Sequence, residues 1–399
     1  MRTIGVITGA RSDYGLLLPV LKLIVADPEL ELQLFVTGMH LSPEFGLTVR
    51  VIEADGFDIR ERVDMLVASD TPQAVSKSIG LGVIGFSQAY SRTRPHLLLV
   101  LGDRFETLAA VVAALPYNIP VAHISGGEIT EGVIDDAIRH SITKMSHLHL
   151  VAMNEYRDRI IQMGEEPWRI TVTGEPGLDN LKETTLFARV ELEKIVGLPL
   201  NPAPLLVTFH PVTLEPGETE RSIMALLAAL EELAMPVIFT YPNADTGGQV
   251  IIERIEQFVK THPNARMVVS LGAQGYASLM SFSLAMLGNS SSGIIEAATF
   301  ELPVVDIGDR QRGRVRGQNV VHAEADRESI LRAARTVLSS SFKHTLRNLK
   351  NLYGDGDAAQ RIIEVVKRTP LGRNLLVKRF HNLENSQSTG GYSAKAFSS

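Results

Sequence analysis

The sequence predicts an α/β protein of two doubly wound domains whose parallel sheets face each other across a cleft. Short apolar runs of strand length alternate with amphipathic helical windows, and the alternation restarts after a proline-rich stretch at residues 198–204. Nearly continuous apolar strands separated by helices are typical of parallel sheets covered on both faces. The length of 399 residues agrees with this division, since a domain usually has roughly 100–200 residues.

The first domain is predicted over residues 1–180. Its apolar runs of strand length lie at residues 4–8, 32–36, 97–101, 121–124 and 148–153. The helical windows between them lie at residues 16–25, 74–90, 106–115 and 134–145.

The second domain is predicted over residues 181–371. Its strands are expected at residues 205–209, 237–240, 267–270, 284–287 and 304–307. The remaining residues 372–399 form a polar tail that we expect to be disordered. Ligands of such sheets bind outside the carboxyl ends of the strands, so the shared cleft is the predicted binding site.

Composition excludes several classes of function. The chain has no cysteine, which rules out disulfides, thiolate metal sites and a cysteine nucleophile. Its net charge of -6 argues against a nucleic-acid partner. Two charge-poor segments, at residues 107–127 and 267–295, are interrupted by proline, glycine or serine, so neither predicts a membrane span. With no signal peptide evident, we predict a soluble cytoplasmic protein without a membrane partner.

Two motifs are better explained by packing than by ligand binding. The sequence GLGVIG at residues 80–85 matches G-x-G-x-x-G, but it lies inside a helical window and not between a strand and a helix. His147 and His149 alternate around a leucine, yet no nearby Asp, Glu or Cys completes a metal-ligand set. We therefore predict no nicotinamide or other cofactor and no metal.

Two strand ends of the first domain carry charged residues. TGARSDYG, at residues 8–15, joins a glycine turn to a helix start, and Arg11 there predicts a phosphate contact. The alternative is an ordinary turn with a surface arginine. LGDRFE places Asp103 and Arg104 at the end of an apolar strand, where a charge is useful facing a cleft. The alternative is that Asp103 caps the next helix.

The richest cluster follows the next strand, in AHISGGEITEGVIDDAIRH at residues 122–140. Carboxylates and histidines gathered at one strand end can supply a general acid and a general base with separated pKa values. The alternative is helix capping together with a solvated helix face. The members of this cluster are His123, Glu128, Glu131, Asp135, Asp136, Arg139 and His140.

The second domain offers a predicted site for a diphosphate. LGNSSSGIIEAA, at residues 287–298, joins a strand to a helix through small hydroxyl residues, and Glu296 is placed to accept hydrogen bonds from a ribose. A well-capped helix is the alternative. His210 ends the first strand of this domain, and the run DRQRGRVRG supplies Arg310 and three further arginines suited to a polyphosphate.

Together these motifs resemble the hydrolysing UDP-N-acetylglucosamine 2-epimerases of sialic acid biosynthesis, of the bacterial type, over about residues 1–365. The motifs that carry the resemblance are TGARSDYGLL, VTGMHLSPEFG, LGDRFE, HISGGE, DDAIRHSITKMSHLHL, TFHPVT, YPNADTG, GNSSSGIIE and GDRQRGRVRG. The resemblance implies a GT-B-like fold of two Rossmann-like domains, with UDP held mainly by the second. It also implies anti elimination of UDP through a 2-acetamidoglucal, followed by addition of water to give N-acetylmannosamine.

The resemblance further implies the site residues. Asp103, Glu128, Asp135 and His210 are the catalytic candidates, and the resemblance assigns no step to any one of them. Arg104 is expected near the phosphates, and we expect a homodimer or homotetramer. The residues expected to contact UDP are Arg11, His210, Asn243, Ser290, Ser291, Glu296 and Arg310.

Three alternatives remain open at this point. The same reaction on UDP-N,N′-diacetylbacillosamine would serve legionaminic acid synthesis. A GT-B glycosyltransferase would instead need an acceptor, and a non-catalytic UDP-sugar-binding protein would not need the acidic cluster.

The chain departs from part of the family at one position: some family members have HIEGGE where this chain has Ser125, and the following loop looks one residue longer. Since serine cannot replace a carboxylate as an acid or base, Glu128 is the predicted substitute.

Overall fold

A computed structural model describes residues 1–69, 71–131, 134–211, 216–242, 248–269 and 271–383. Among these residues, no helix is both long and apolar enough to cross a membrane. The chain forms two parallel sheets, each flanked by helices, as the alternating sequence pattern predicts.

The first sheet has seven strands in the order β3-β2-β1-β4-β5-β6-β7. The strands are β1 Arg2–Thr8, β2 Leu30–Thr37, β3 Ile59–Val63, β4 Leu97–Leu101, β5 Val121–Ile124, β6 Leu148–Val151 and β7 Ile170–Val172. The helices are α1 Arg11–Ala26, α2 Val49–Ala54, α3 Pro72–Arg92, α4 Phe105–Ala114, α5 Ile134–Met145, α6 Asn154–Gln162 and α7 Gly177–Glu183.

The second sheet has six strands in the order β10-β9-β8-β11-β12-β13. The strands are β8 Leu205–Thr208, β9 Val237–Thr240, β10 Ala265–Val268, β11 Ala285–Gly288, β12 Val304–Ile307 and β13 Val320–Ala323. The helices are α8 Arg189–Val196, α9 Pro216–Leu233, α10 Gly248–Thr261, α11 Gly272–Phe282, α12 Ser291–Ile295, α13 Arg327–Leu338 and α14 Ser340–Thr345, followed by α15 Ala358–Arg368 and α16 Arg373–Leu376.

Both sheets reverse their strand order at a point that opens a crevice. In the first sheet β1 pairs with β4, and in the second β8 pairs with β11. Loops that leave adjacent strands at such a point diverge to opposite faces of the sheet, which is where ligands of doubly wound sheets bind. The loops at these points carry the motifs TGAR and LGDR in the first domain and TFH and GNSS in the second.

Three strands absent from the prediction all lie at sheet edges. β3, β7 and β13 are edge strands, and their residues are only partly buried. An edge strand is covered less completely than a central one, so its sequence lacks the continuous apolar run that marks the inner strands.

The chain returns to the first domain at its end, which differs from the predicted division. Ile362 and Val366 of α15, and Leu375 of α16, lie in the same core cluster as Ile4 of β1. Buried Arg169 donates hydrogen bonds to the carbonyl oxygens of Leu375 and Val377 at 2.9 and 3.0 Å. Residues 358–383 therefore pack with the first domain, whereas the prediction ended the second domain at 371 and began a disordered tail at 372. Residues 384–399 lie outside the described ranges.

The GLGVIG segment lies within α3, as predicted, and its glycines allow close packing. A Cβ atom on Gly82 would lie 2.7 Å from the Cε of Met65 and 2.8 Å from the Cβ of Ala109. A Cβ atom on Gly85 would lie 2.6 Å from the Cγ1 of Val63. These contacts confirm that this part of the motif serves helix packing.

Candidate active site

A cavity of about 270 Å³ lies between the two domains and is lined by residues from several of the predicted motifs. The first domain contributes the segments that follow β1, β4, β5 and β7. The second domain contributes α12 and the loop that carries Arg314. The polar and charged lining residues are Ser12, Asp13, Asp103, Arg104, Ser125, Glu128, Arg139, Glu175, Ser291, Ser292, Glu296 and Arg314.

Asp103 is held by a buried arginine from α5. The chain leaves β4 through Gly102, whose φ of +70° lies in the region that favours glycine. Arg139 donates one hydrogen bond to Asp103 and another to the Oγ1 of Thr130 at 3.1 Å. This ion pair fixes the Asp103 carboxylate at the cavity wall, so the prediction that the strand end faces the cleft is supported by the geometry.

Glu128 lies between arginines of both domains. It is only 4% exposed, and its Oε2 is 3.9 Å from the Nη1 of Arg139 and 3.9 Å from the Nη2 of Arg314. The preceding turn is tight: Gly127 has φ of +75°, and a Cβ atom there would lie 2.7 Å from the Tyr156 carbonyl oxygen. Arg159 donates to the Gly127 carbonyl. The turn therefore holds Glu128 at the meeting point of the domains.

Ser125 and Glu175 form a second polar contact beside Glu128. The Ser125 Oγ donates a hydrogen bond of 3.1 Å to Glu175 Oε2. Burial, together with the charge of Glu128, raises the pKa of Glu175 to about 8. Glu175 is absent from the predicted site residues because it follows the three-residue edge strand β7; the motif TGEPG at a strand end was the available signal.

Arg104 is positioned by two acids. It donates hydrogen bonds to both carboxylate oxygens of Glu106, at 2.8 and 3.2 Å, and its Nε is 3.6 Å from the Oδ2 of Asp13. Burial raises the pKa of Asp13 to about 6, and the charge of Arg104 opposes that rise. The arginine is thus fixed in orientation at the cavity, where it was expected near phosphates.

His210 and Arg310 meet at Asn289. The backbone N–H of His210 donates to the Asn289 side chain at 2.7 Å, and the Asn289 amide donates back to the His210 carbonyl at 2.8 Å. Arg310 Nη1 donates to the Asn289 carbonyl at 3.1 Å. Burial, followed by the charge of Arg310, lowers the pKa of His210 to about 4. The imidazole is therefore uncharged at neutral pH.

Serine hydroxyls at the start of α12 are joined by hydrogen bonds. Ser290 occupies the N-cap position, and its Oγ lies 2.9 Å from that of Ser292. Tyr276 contacts Ser292 through its hydroxyl at 2.7 Å. Burial raises the pKa of Glu296, which follows on the same segment, to about 7. Ser291, Ser292 and Glu296 all line the cavity.

Several predicted site residues are not among those that line the cavity: Arg11, Asp135, His210, Ser290 and Arg310. Asp135 is half-buried at the start of α5, and its pKa is raised by burial and by the charge of Asp103. Arg11 is the first residue of α1 and is exposed. Asn243 lies outside the described residues.

Other histidines and acids of the predicted acidic cluster have structural partners. His123 is buried, its Nε2 donates to the Gly102 carbonyl at 2.7 Å, and its pKa is lowered to about 3 by burial. Asp136 accepts a hydrogen bond from the Thr130 backbone at 2.7 Å and lies 3.6 Å from His140. The structure thus separates loop-supporting residues from the cavity-lining pair Glu128 and Arg139.

His147 and His149 are buried histidines with hydrogen-bond partners, as the sequence interpretation favoured. His147 Nδ1 accepts from the Val121 backbone at 3.1 Å, and His149 Nε2 contacts Glu165 at 3.2 Å. Glu165 is also paired with Lys144 and Lys378, at 2.8 Å each. In the parts of the chain that the structure describes, no group of three or more His, Asp or Glu side chains is arranged to hold a metal ion.

Comparisons with known proteins place the chain in a family. A family model described as UDP-N-acetylglucosamine 2-epimerase matches residues 22–367. The chain is 40% identical to a GDP/UDP-N,N′-diacetylbacillosamine 2-epimerase (hydrolyzing) of Campylobacter jejuni, over 81% of this chain and 84% of that protein. It is 36% identical to a UDP-N,N′-diacetylbacillosamine 2-epimerase (hydrolyzing) of Legionella pneumophila, over 95% and 99% of the two chains.

A solved structure gives the same answer for the fold. The UDP-GlcNAc 2-epimerase of Neisseria meningitidis bound to UDP-GlcNAc superimposes with a TM-score of 0.79 at 18% identity, covering 92% of this chain and all of that one (100%). The likeness confirms the predicted two-domain, GT-B-like α/β architecture. With the family match over most of the chain, it leads to one conclusion: this protein belongs to the UDP-N-acetylglucosamine 2-epimerase family.

Proposed function

We propose that the protein is a hydrolysing 2-epimerase that converts a UDP-linked 2-acetamido sugar to UDP and the free sugar epimerised at C2. One observation carries the proposal: a single cavity joins carboxylates of the first domain to the hydroxyl groups and arginine of the second. Carboxylates suit proton transfer at carbon, and cations stabilise a leaving diphosphate. Both requirements of an elimination are present on the two walls of one cleft.

The proposed reaction has two halves. In the first, a base removes the C2 proton, the C2–H electron pair forms the C1=C2 double bond, and the C1–O bond breaks with its electrons leaving on UDP. In the second, a proton adds to C2 on the opposite face while a water oxygen bonds to C1 and releases its own proton. Asp103, Glu128, Asp135 and His210 are the proposed proton-transfer groups. Burial lowers the pKa of His210 to about 4, which leaves its imidazole uncharged at neutral pH but also makes it a weaker base than an ordinary histidine.

The leaving UDP is proposed to lie against the second domain. Ser290, Ser291 and Glu296 would contact the nucleotide, and Arg310 and Arg104 would oppose the charge of the diphosphate, with Arg11 and Asn243 as further proposed contacts. Anions are stabilised by fixed cations in a partly desolvated cleft, because little reorganisation is needed as the charge develops. The fixed orientation of Arg104 between Glu106 and Asp13 supports such a role.

Two substrates are proposed, in order of support. UDP-N,N′-diacetylbacillosamine is favoured because the relatives at 40% and 36% identity carry that substrate in their names. UDP-N-acetylglucosamine, giving N-acetylmannosamine for a sialic acid-type pathway, is the second candidate, because the matching family model and the similar solved structure are described with it.

The test is incubation of the full-length protein with each UDP-sugar separately, followed by NMR of the released sugar. We expect UDP and one free 2-epimer without added nicotinamide, divalent metal or acceptor sugar. Turnover that required an acceptor sugar would instead identify a glycosyltransferase. Binding of both nucleotides with no release of UDP from either would contradict any catalytic role.

A further inference from the structure

The position that carries a carboxylate in HIEGGE-type sequences carries a hydroxyl in this chain. Ser125 occupies it, in a left-handed backbone conformation with φ of +60°. The Ser125 Oγ does not end in open space: it donates to Glu175 Oε2 over 3.1 Å. The carboxyl group of Glu175, from another part of the chain, is therefore hydrogen-bonded to residue 125, the position where HIEGGE-type sequences have a glutamate.

We propose that Glu175 is a catalytic acid–base residue of this site, oriented by Ser125, and that it performs the proton transfer that residue 125 cannot perform in this chain. The proposal rests on the proposed epimerase function. It adds a residue that is not among the predicted site residues. Glu175 follows β7, whereas the predicted substitute for a carboxylate at residue 125, Glu128, follows β5.

The backbone around Glu175 fixes its direction. The N–H of Glu175 donates to the Tyr353 carbonyl at 2.7 Å, and Gly174 before it has φ of +91°. Tyr353 in turn contacts Tyr156 through the two hydroxyls at 3.0 Å. Glu175 is 5% exposed and lines the same cavity as Asp103 and Glu128. A side chain so anchored presents its carboxyl group to the cavity in a defined geometry.

Glu128 and Glu175 differ in their surroundings. Glu128 has two arginine side chains at 3.9 Å, whereas Glu175 forms no ion pair with any residue in the described ranges. Burial and the charge of Glu128 raise the pKa of Glu175 to about 8, so its protonated form predominates at neutral pH. Two carboxyl groups in unlike environments can divide acid and base roles, as elimination followed by addition requires.

The proposed step is proton donation during the addition of water. The Glu175 proton moves to C2 of the glycal, and the C1=C2 electron pair forms the new C2–H bond. The water oxygen bonds to C1, and the proton that this water releases passes to an ionised carboxylate of the cavity. Exchange with solvent then restores the protonated form of Glu175. No oxidant, metal or further reactant enters the step.

A purely positioning role for Glu175 makes a different prediction. Glutamine at this position keeps an oxygen that accepts the hydrogen bond from Ser125, but it cannot donate or accept a proton at that site. Glu175→Gln therefore preserves the contact and removes only the chemistry. In addition, the double variant Ser125→Glu with Glu175→Gln returns a carboxylate to the position it has in HIEGGE-type sequences.

The experiment compares the full-length wild type with Glu175→Gln, the double variant and the control Glu165→Gln. We expect Glu175→Gln to lower kcat by about 100-fold, the low end of a general acid–base contribution, with UDP affinity by calorimetry unchanged. The double variant should recover at least about tenfold of that loss. Glu165→Gln alters a buried carboxyl outside the cavity, so it should lower the melting temperature and leave kcat near wild type.

The outcomes separate the inference from the proposed function. Full activity in Glu175→Gln, or loss of UDP affinity and folding together with kcat, would overturn the role of Glu175. The wild-type enzyme gives a test that needs no variant: kcat should fall as pH rises through about 8, and a flat profile up to pH 10 would contradict the proposal. A wild type that releases UDP from neither sugar would instead contradict the proposed function.

Discussion

The Ser125 hydroxyl donates a hydrogen bond of 3.1 Å to the carboxyl group of Glu175, 50 residues later in the chain. The contact joins the turn after β5 to the segment after β7, which are separated in the sheet by β6. It places two glutamates, Glu128 and Glu175, on one side of the cleft, with an arginine from the second domain, Arg314, facing them. These two glutamates of the candidate site therefore come from two different strand ends.

Glu128 is expected to be essential for turnover. We predict that Glu128→Gln lowers kcat by at least about 100-fold, because general acid–base groups contribute roughly 10²–10⁴-fold. Ser125→Ala should stay within about tenfold of wild type, since the serine only orients a neighbouring group. Steady-state kcat and melting temperature should be measured for both variants. A folded Glu128→Gln enzyme with nearly full activity would remove Glu128 from the mechanism.

Arg310 and Ser290 are expected to bind UDP. Arg310→Ala should weaken UDP binding by about 1.5–3 kcal/mol, the range for a charge-assisted hydrogen bond, and Ser290→Ala by about 0.5–1.5 kcal/mol. Calorimetric titration with UDP measures both. Arg312→Ala is the matched control, because that side chain is 65% exposed and pairs with acids at the surface. Unchanged affinity in both test variants would place the diphosphate elsewhere.

The pKa of Glu175 predicts how stability depends on pH. Its pKa is raised from 4.5 to about 8 in the folded protein, so the stabilisation linked to its proton is complete below about pH 4.5 and is lost as pH rises through about 8. Glu175→Gln cannot ionise and should lack this loss. Between pH 5 and pH 9 the stability of Glu175→Gln should therefore increase relative to that of wild type. The gain in the free energy of unfolding should be on the order of a few kcal/mol, seen as a higher melting temperature.

Calorimetry in a series of buffers checks that pH dependence. Glu183→Gln serves as the control, because the Glu183 side chain is 64% exposed and its replacement should give the same offset from wild type at every pH. Parallel pH profiles for wild type and Glu175→Gln would show that folding does not raise the pKa of Glu175.

The chemistry of C2 leaves an isotopic record. If the C2 proton is removed and a solvent proton replaces it, sugar formed in D2O should carry deuterium at C2 in nearly every product molecule. NMR of the product measures this directly, with substrate recovered before full conversion as the internal comparison. Retention of the original proton at C2 would exclude elimination and addition as the route.

The sequence by itself predicted the fold class and part of the candidate site. The predicted site residues that line the cavity are Asp103, Arg104, Glu128, Ser291 and Glu296. The inner strands of both sheets are buried on two faces, so their apolar runs are continuous and visible without coordinates. A charged residue at the end of such a strand is costly to bury and is accommodated where the strand end faces a cleft. On this basis Asp103 and Arg104 in LGDR, and Glu128 after the next strand, were predicted as site residues. The edge strands β3, β7 and β13 escaped because partial exposure permits polar residues along them.

Tertiary structure decided which of these groups meet. The return of α15 and α16 to the first domain depends on helix packing against a distant core, which no local pattern records. Glu175 likewise follows a strand of three residues, too short for periodicity to reveal, and its meaning comes from Ser125 on another loop. Proximity between residues so far apart in the chain is set by strand order and backbone path, whereas periodicity and composition report only on neighbours in sequence. That is the physical reason why the sequence predicted Asp103, Glu128 and Glu296, whereas only the folded chain showed that Glu175 lines the same cavity.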